Sequence, residues 1–176
     1  MKMPGVVPEG GYRRGVELTR PNGDVFHFTI KPLGLGFSRM LRGHGIMPPA
    51  RPTRVARDSA GKPVRDAQGL AVLVADPSDS GYQVAVELYH QRMAALMIAE
   101  AIEGDPSVAF EVKRPEGEAS WETYADELVK ELEKSGWSAG DVAKLCHEIA
   151  QLSRLLPEHL AEQERSFFPG RGADER

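Results

Sequence analysis

The chain has 176 residues, a formal net charge of −4 at pH 7 and a hydrophobic content of 41%, values that are ordinary for one soluble globular domain. Its unbroken apolar runs, such as Leu70–Ala75, are far shorter than the roughly 20 residues of a transmembrane helix. The single cysteine, Cys146, excludes an internal disulfide framework and fits a reducing compartment. The first residues lack the apolar region of a secretory signal, so we expect a cytoplasmic protein.

The charge is divided unevenly along the chain. Residues 1–65 carry 12 Lys and Arg against 4 Asp and Glu, whereas residues 66–176 carry 10 against 22. Either the two halves attract each other, within one fold or between subunits, or the basic half contacts an acidic partner or nucleic acid. The segment 31–65 lacks aromatic residues beyond Phe37, so base stacking is not expected there and a nucleic-acid partner is disfavoured. The candidate contacts of this basic segment are Arg39, Arg42, Arg51, Arg54, Arg57 and Arg65.

The N-terminal part predicts a flexible arm followed by a β-hairpin. Residues 1–14 are rich in Pro, Gly and Arg and show no periodicity. Residues 15–31 alternate apolar and polar side chains on both sides of Asn22-Gly23, a pair that supplies the positive φ angles of a tight turn. Phe37–Arg42 is long enough for one or two helical turns.

The segment 43–69 predicts a basic loop insertion. Within it, Thr53–Arg57 and Pro63–Asp66 flank a stretch with turn chemistry and indicate a second, exposed hairpin. Leu70–Ala75 follows as a short apolar run, which fits either a strand or the start of the next helix.

The longest predicted helix, Ser80–Glu103, organises the rest of the chain. Apolar residues recur at three- and four-residue steps from Tyr82 to Met97 and place one apolar face on it. Beyond Met93 the opposite side becomes apolar as well. Such a helix is buried all round or pairs with another subunit.

The C-terminal part predicts a strand and two further main helices. Ser107–Lys113 alternates apolar and polar residues as a strand does. Trp121–Lys134 carries an apolar stripe behind an N-cap at Ser120. Ser138 and Asp141 form a variant capping box that begins the last main helix, which we expect to run to about Leu156. Its apolar seam has the spacing of an internal helix pair or, over two heptads only, of a short coiled coil. The seam consists of Val142, Leu145, Ile149, Leu152 and Leu156.

The last residues predict a short helix at Glu158–Arg165 and a disordered tail at 169–176. Between them stand Phe167 and Phe168, two adjacent aromatic residues that could dock on the domain or on a partner. The predicted organisation is therefore one domain over residues 15–168, of α+β class, with an N-terminal hairpin packed on three to four helices.

No catalytic or metal-binding motif is apparent. The five histidines are scattered, and no pair has the i, i+4 spacing of a helical zinc site. The serine-hydrolase, zinc-protease and paired-cysteine patterns are missing from the sequence. Cys146 lies next to an apolar helix seam and is read most simply as a small buried hydrophobe. We therefore expect a non-enzymatic protein that needs neither cofactor nor metal.

The order of elements resembles a known family. A hairpin with GVELTRPNGDVFHFTIKPLG comes first, then a helix with YQVAVELYHQRMAALMIAEAI, a Trp-led helix with SWETYADELVKELEKSGWS and a final helix with DVAKLCHEIAQLSRL. Over about Gly15–Leu156 this arrangement is similar to the small tail assembly chaperones of long-tailed bacteriophages and related phage-derived particles. The basic insertion departs from the compact pattern of that family.

The resemblance implies a chaperone that binds the tape-measure protein, keeps its apolar helices in solution and recruits tail-tube subunits in the cytoplasm of the infected host. Homo-oligomers are possible, and no membrane partner is expected. A structural component that remains in the virion (tail, connector or capsid-associated) is the alternative, and a nucleic-acid-binding protein is the third interpretation. The candidate residues for partner contact are Tyr89, Met93, Met97, Leu145, Ile149 and Leu152.

Overall fold

The computed structural model describes residues 12–20, 23–117 and 120–155. The expectations for most of the arm at 1–14, for a helix at Glu158–Arg165 and for the tail at 169–176 lie outside these ranges.

The predicted N-terminal hairpin is confirmed. Strands β1, Arg14–Thr19, and β2, Val25–Ile30, pair antiparallel with Val16 opposite Phe28. Gly23 has a φ of 90°, the left-handed conformation that the Asn-Gly pair predicts. One face of the hairpin is buried and the other is exposed, as the alternation requires. Its buried residues are Val16, Leu18, Phe28 and Ile30.

Four helices follow in the part of the chain that the structure describes. They are α1, Phe37–Gly43; α2, Ser80–Ile102; α3, Trp121–Lys134; and α4, Ala139–Leu152. Side-chain N-caps begin three of them, of which the caps of α3 and α4 were predicted. The Asp79 carboxylate accepts from the backbone N–H of Tyr82 before α2, and Ser120 caps α3. Ser138 and Asp141 form a complete capping box at the start of α4.

Helix α2 is the centre of the fold. Helices α3 and α4 both pack against it, and the hairpin packs on α4 and on the C-terminal end of α2. Ile98 and Ala101 are completely buried there, whereas the N-terminal half of α2 is largely exposed. This arrangement confirms the α+β class with a small antiparallel sheet on helices.

Polar contacts fasten the hairpin to the helices around it. Arg14 pairs with Glu148 on α4, and the Arg20 guanidinium lies 3.5 Å from the Asp141 carboxylate and over the ring of Phe26. The backbone N–H of Lys31 donates to the carbonyl of Ala101 at 2.8 Å, where α2 ends. The end of strand β2 is thereby hydrogen-bonded to the C-terminal end of α2.

Residues 53–75 form a three-way β-junction. Its stem pairs β3, Thr53–Val55, antiparallel with β4, Leu73–Ala75. Two short arms branch from the stem, closed by the bridges Arg57–Pro63 and Arg65–Ala71. The exposed second hairpin predicted at Thr53–Arg57 and Pro63–Asp66 is thus present only as the first arm.

Three backbone hydrogen bonds close the centre of the junction in a ring. The N–H of Ala56 donates to the carbonyl of Val72, that of Val72 to Val64, and that of Val64 to Ala56, at 2.8–2.9 Å. Leu70–Ala75, which fitted either a strand or a helix, therefore contributes Ala71 to the second arm and strand β4 to the stem.

The two arms are an internal repeat of eight residues. Arg57-Asp58-Ser-Ala-Gly61 recurs as Arg65-Asp66-Ala-Gln-Gly69. In each arm the arginine donates to the glycine carbonyl, at 2.7 and 2.6 Å, and the aspartate accepts from two backbone N–H groups. Both glycines have positive φ. The same turn chemistry therefore builds both arms.

The strand predicted at Ser107–Lys113 is wrong. The segment has no strand pairing, although its alternate residues Val108 and Phe110 pack on the core. The carboxylate of Glu131 on α3 accepts the N–H groups of Glu111 and Val112. A side chain of α3 thus takes the place of a neighbouring strand.

Within the described residues, no helix combines the length and apolar character that crossing a bilayer requires.

Candidate functional site

An apolar groove runs over the middle of α2, between α3 and α4. Both outer helices pack on α2, and among the described elements they make little contact with each other, so a gap remains above α2. The gap has a volume of about 430 Å³. Its floor comes from α2 and its walls come from the facing sides of α3 and α4. The lining residues include Ala94, Ala95, Val129, Leu132, Trp137, Ala139, Val142, Ala143 and Cys146.

The lining is apolar and mostly small. Alanines on α2 and α4 line both the floor and one wall, which permits the backbone of an occupant to approach closely. Trp137 supplies the largest apolar surface, and its ring is held against Phe28 of the hairpin at 5.4 Å between centroids. Four polar side chains also line the groove, those of His90, Gln91, Glu133 and Ser138. An apolar cleft with few polar groups is typical of binding sites for apolar ligands or side chains.

Cys146 lines this groove. Its Sγ lies 4.0 Å from the carbonyl of Ala94, and burial raises the pKa of the thiol to about 11. A thiol with so high a pKa is mostly protonated at neutral pH and a poor nucleophile. The interpretation of Cys146 as a small hydrophobe beside the seam fits this environment.

A second cavity, of about 230 Å³, lies between α2, α3 and the loop after α2. Arg114 crosses it, 3.0 Å from Glu100 and 5.1 Å from the centre of the Trp121 ring. Lys31 pairs with Glu100 and Glu103 at its edge, and burial raises the pKa of Tyr124. The charged groups neutralise each other, and this arrangement is a structural ion-pair network. Among the described residues, no group of three or more His, Cys, Asp or Glu is placed to hold a metal ion.

The six candidate partner contacts lie in one hydrophobic cluster, but inside the fold. Leu145 and Ile149 are completely buried, so they serve the packing of α4 on α2. Tyr89, Met93 and Met97 on α2 are partly buried against the same core, as is Leu152. The seam of α4 is thus an internal helix contact, which was one of its two interpretations. Leu145 and Ile149 cannot meet a partner unless the fold opens.

The basic candidates fall into two places. Arg39 and Arg42 are exposed on α1, and the other four are on or beside the β-junction. Of these, Arg57 and Arg65 hydrogen-bond their own turns, and Arg54 lies 3.5 Å from Asp76. Arg51 is exposed before the stem. Three of the four junction arginines therefore have local structural contacts.

The apolar seam of α4 does not predict most of the groove residues, because among the seam residues that the structure describes only Val142 lines the groove. The signal that could have found them is the second apolar side of α2, where Ala94 and Ala95 lie. A helix that is apolar on two sides needs two sets of neighbours, and α3 and α4 cover only part of the second one.

Comparison of the chain with protein-family models, with curated protein sequences and with solved structures finds no match.

Proposed function

We propose that the protein is a non-enzymatic tail assembly chaperone of long-tailed bacteriophages or phage-derived particles. In this proposal, the groove between α2, α3 and α4 holds apolar helical segments of the tape-measure protein, and a separate surface meets tail-tube subunits. The apolar groove is the observation that carries the proposal, because a helix-in-groove site recognises the apolar face of an amphipathic helix.

The shape of the groove suits a helical client. Its floor is a helix and its walls are helices, so an added helix would complete a bundle around α2. The alanines of α2 and α4 leave room for the client's own large side chains. Such contacts require no catalytic residue and no cofactor.

Exposed apolar residues outside the groove support a second contact. Val84 and Leu88 on the N-terminal half of α2 are 65% and 39% exposed, and Leu73 of the junction stem is 61% exposed. Exposed apolar residues of this kind are typical of surfaces that meet another protein. We assign these exposed residues to the contact with tail-tube subunits.

The proposal is tested by co-purification. The tagged full-length protein is expressed together with its neighbouring genes, and its partners are identified by mass spectrometry. A long, helix-rich partner that is bound before assembly and missing from finished particles is the expected result. Recovery of no protein partner would contradict the proposal.

A structural component of the particle is the second candidate, favoured by the exposed apolar residues of the projecting β-junction. Stoichiometric recovery of the protein from mature particles would favour it over the chaperone. Nucleic acid in the eluate, lost when Arg51, Arg54 and Arg57 are neutralised, would instead support the third interpretation.

A further inference from the structure

We propose that two copies of the free protein pair antiparallel through α2, so that Leu88 of each copy packs in the groove of the other. The surfaces involved are the exposed N-terminal half of α2 and the groove between α2, α3 and α4. The inference goes beyond the proposed function, because it concerns the protein without a client and holds whatever that client is.

The first argument is a heptad stripe along α2. Six residues follow one another at steps of four, three, four, three and four, the spacing of a helix that packs along another helix. The C-terminal half of the stripe is buried inside the domain, whereas Val84 and Leu88 are 65% and 39% exposed. The stripe therefore extends beyond the contacts that one copy supplies. It consists of Val84, Leu88, Gln91, Ala95, Ile98 and Ile102.

The second argument is that the exposed half of the stripe and the groove are complementary in shape. The groove floor is made of small side chains at Ala94 and Ala95, whereas the exposed half carries the larger Leu88 and Val84. In an antiparallel pair with a two-fold axis at Gln91, position 88 of one helix lies opposite position 94 of the other. A large side chain thereby meets a small one, and the two-fold axis repeats the contact.

The third argument is size. An apolar cavity of about 150 Å³ accommodates one benzene ring, which has more carbon atoms than a leucine side chain. The groove, at about 430 Å³, therefore has room for Leu88 of a second copy and for the side chains that flank it.

The fourth argument is the polar residue in the stripe. Gln91 is exposed, lines the groove and lies at the proposed two-fold axis. A side-chain amide both donates and accepts hydrogen bonds, so the two copies of Gln91 are able to bond each other across the axis. One polar residue in an otherwise apolar stripe fixes the register of paired helices.

These observations favour a second copy over a foreign helix as the occupant of the groove in the free protein. A foreign helix in the groove would leave Val84 and Leu88 exposed. A second copy covers the groove and the exposed half of the stripe in one contact, and exposed apolar surface of this kind is normally covered or used in binding.

Sedimentation equilibrium of the full-length protein measures the pairing. We expect a dimer, and we expect Leu88→Asp to weaken it by about thirtyfold or more, because an apolar groove does not accommodate an unpaired charge. The matched control is Leu73→Asp in the junction stem, where the leucine is 61% exposed, and it should pair like the wild type. Circular dichroism checks that each variant retains its helices. A monomeric wild type at micromolar concentrations, or equal dissociation constants for Leu88→Asp and the wild type, would overturn the proposal.

Disulfide trapping tests the antiparallel orientation. In a Cys146→Ala background, Leu88→Cys protein is mixed with isotopically heavy Ala94→Cys protein and oxidised, and the linked peptides are identified by mass spectrometry. Mixed disulfides between the two variants are expected. The matched control, Gln83→Cys, is exposed on α2 but lies off the stripe, and it should link to neither variant. Disulfides only between copies of Leu88→Cys would indicate a parallel pair, and this outcome or the lack of any specific disulfide would overturn the proposal.

Discussion

The core and the three-way β-junction are held together by different interactions. Around α2 the fold depends on side chains that are removed from water, and Ile98, Leu145 and Ile149 are completely buried. In the junction nearly every side chain is exposed, yet a ring of backbone hydrogen bonds through Ala56, Val64 and Val72 defines its shape. The comparison shows that apolar burial specifies one region and repeated turn chemistry specifies the other.

The two regions also differ in what they contribute, since the core provides stability and the junction provides exposed surface. Since the junction buries little apolar area, it adds little to the free energy of unfolding and is able to present its residues to a partner. The core, by contrast, provides the stability and shapes the groove. The predictions below test this division, beginning with the largest expected effect.

Truncation of a core side chain should lower the free energy of unfolding far more than truncation of a side chain in the junction. Ile98→Ala removes a completely buried side chain and is expected to lower the free energy of unfolding by about 2–5 kcal/mol. Leu73→Ala, its matched control in the exposed stem, is expected to change it by less than about 0.5 kcal/mol. Urea unfolding followed by circular dichroism measures both. A large loss in the Leu73 variant would show that the junction packs on the core.

The ion pair between α2 and α3 should contribute less to the free energy of unfolding than a buried core side chain does. Arg92 donates two hydrogen bonds to the Asp126 carboxylate, at 2.7 and 2.9 Å, and its side chain is only 17% exposed. Arg92→Ala is expected to destabilise the protein by about 1–2 kcal/mol, the range of a partly buried charged hydrogen bond. Removal of the exposed Lys130 from its pair with Glu127 should have almost no effect. Similar losses in the two variants would contradict the account.

Acid should weaken the contacts that fasten the loops to the core. A hydrogen bond from the Ser107 hydroxyl, and then one from the backbone N–H of Thr29, hold the pKa of Asp105 below its usual 3.8. The backbone N–H of Ser138 lowers the pKa of Asp141 in the same way. Because the folded-state pKa is lower, this stabilisation is complete above the unfolded value and is lost as the pH falls through the folded value.

We therefore expect the free energy of unfolding to decline as the pH falls below about 4. Asp105→Asn should be less stable than the wild type at pH 7 and should show a shallower decline in acid. The matched control is Glu116→Gln, at an exposed carboxylate before α3. Unfolding by urea at pH 7, 5, 4 and 3 checks the prediction, and parallel curves for Asp105→Asn and the wild type would refute it.

The smallest effect is expected in the junction itself. The Asp58 carboxylate accepts from the N–H groups of Ala60 and Lys62, and Asp66 does the same in the second arm. Asp58→Ala should speed the hydrogen exchange of the first arm and leave the second arm and the unfolding midpoint unchanged. Exchange measured by NMR reports each arm separately. Loosening of both arms at once would show that the ring at the centre couples them.

Much of the fold was predictable because its signals are local. The Asn-Gly pair predicts the hairpin, and the cap residues at Ser120 and Ser138 fix the starts of α3 and α4. The period of the apolar residues predicts a helix over Ser80–Glu103, and α2 spans Ser80–Ile102. These elements depend on neighbours in the sequence.

The features that were not predicted depend on residues far apart. Alternation at Ser107–Lys113 predicts a strand, but the hydrogen-bond partner of that backbone is Glu131, about twenty residues away. The stem of the junction similarly depends on the pairing of Thr53–Val55 with Leu73–Ala75, about twenty residues away. The eight-residue repeat of the arms was readable in the sequence and would have indicated two equivalent turns.

The groove was only partly predictable. The two-sided apolar character of α2 indicates a further contact, but the gap exists because α3 and α4 each pack on α2 and make little contact with each other. That arrangement is a matter of helix packing, which periodicity does not specify. The same limit explains why Leu145 and Ile149, chosen as contact residues, are core positions.

The central claim is that the groove binds a helical client, and a pair of neighbouring substitutions tests it most directly. Ala143 is exposed and lines the groove, whereas Lys144 is the next residue along α4 and is not part of its lining. Ala143→Trp and Lys144→Trp place the same large side chain at two sides of one helix. In co-purification of the full-length protein with its helix-rich partner, we predict that Ala143→Trp reduces recovery by about tenfold or more and that Lys144→Trp retains it. Equal recovery with both variants would contradict the assignment of the groove as the client site.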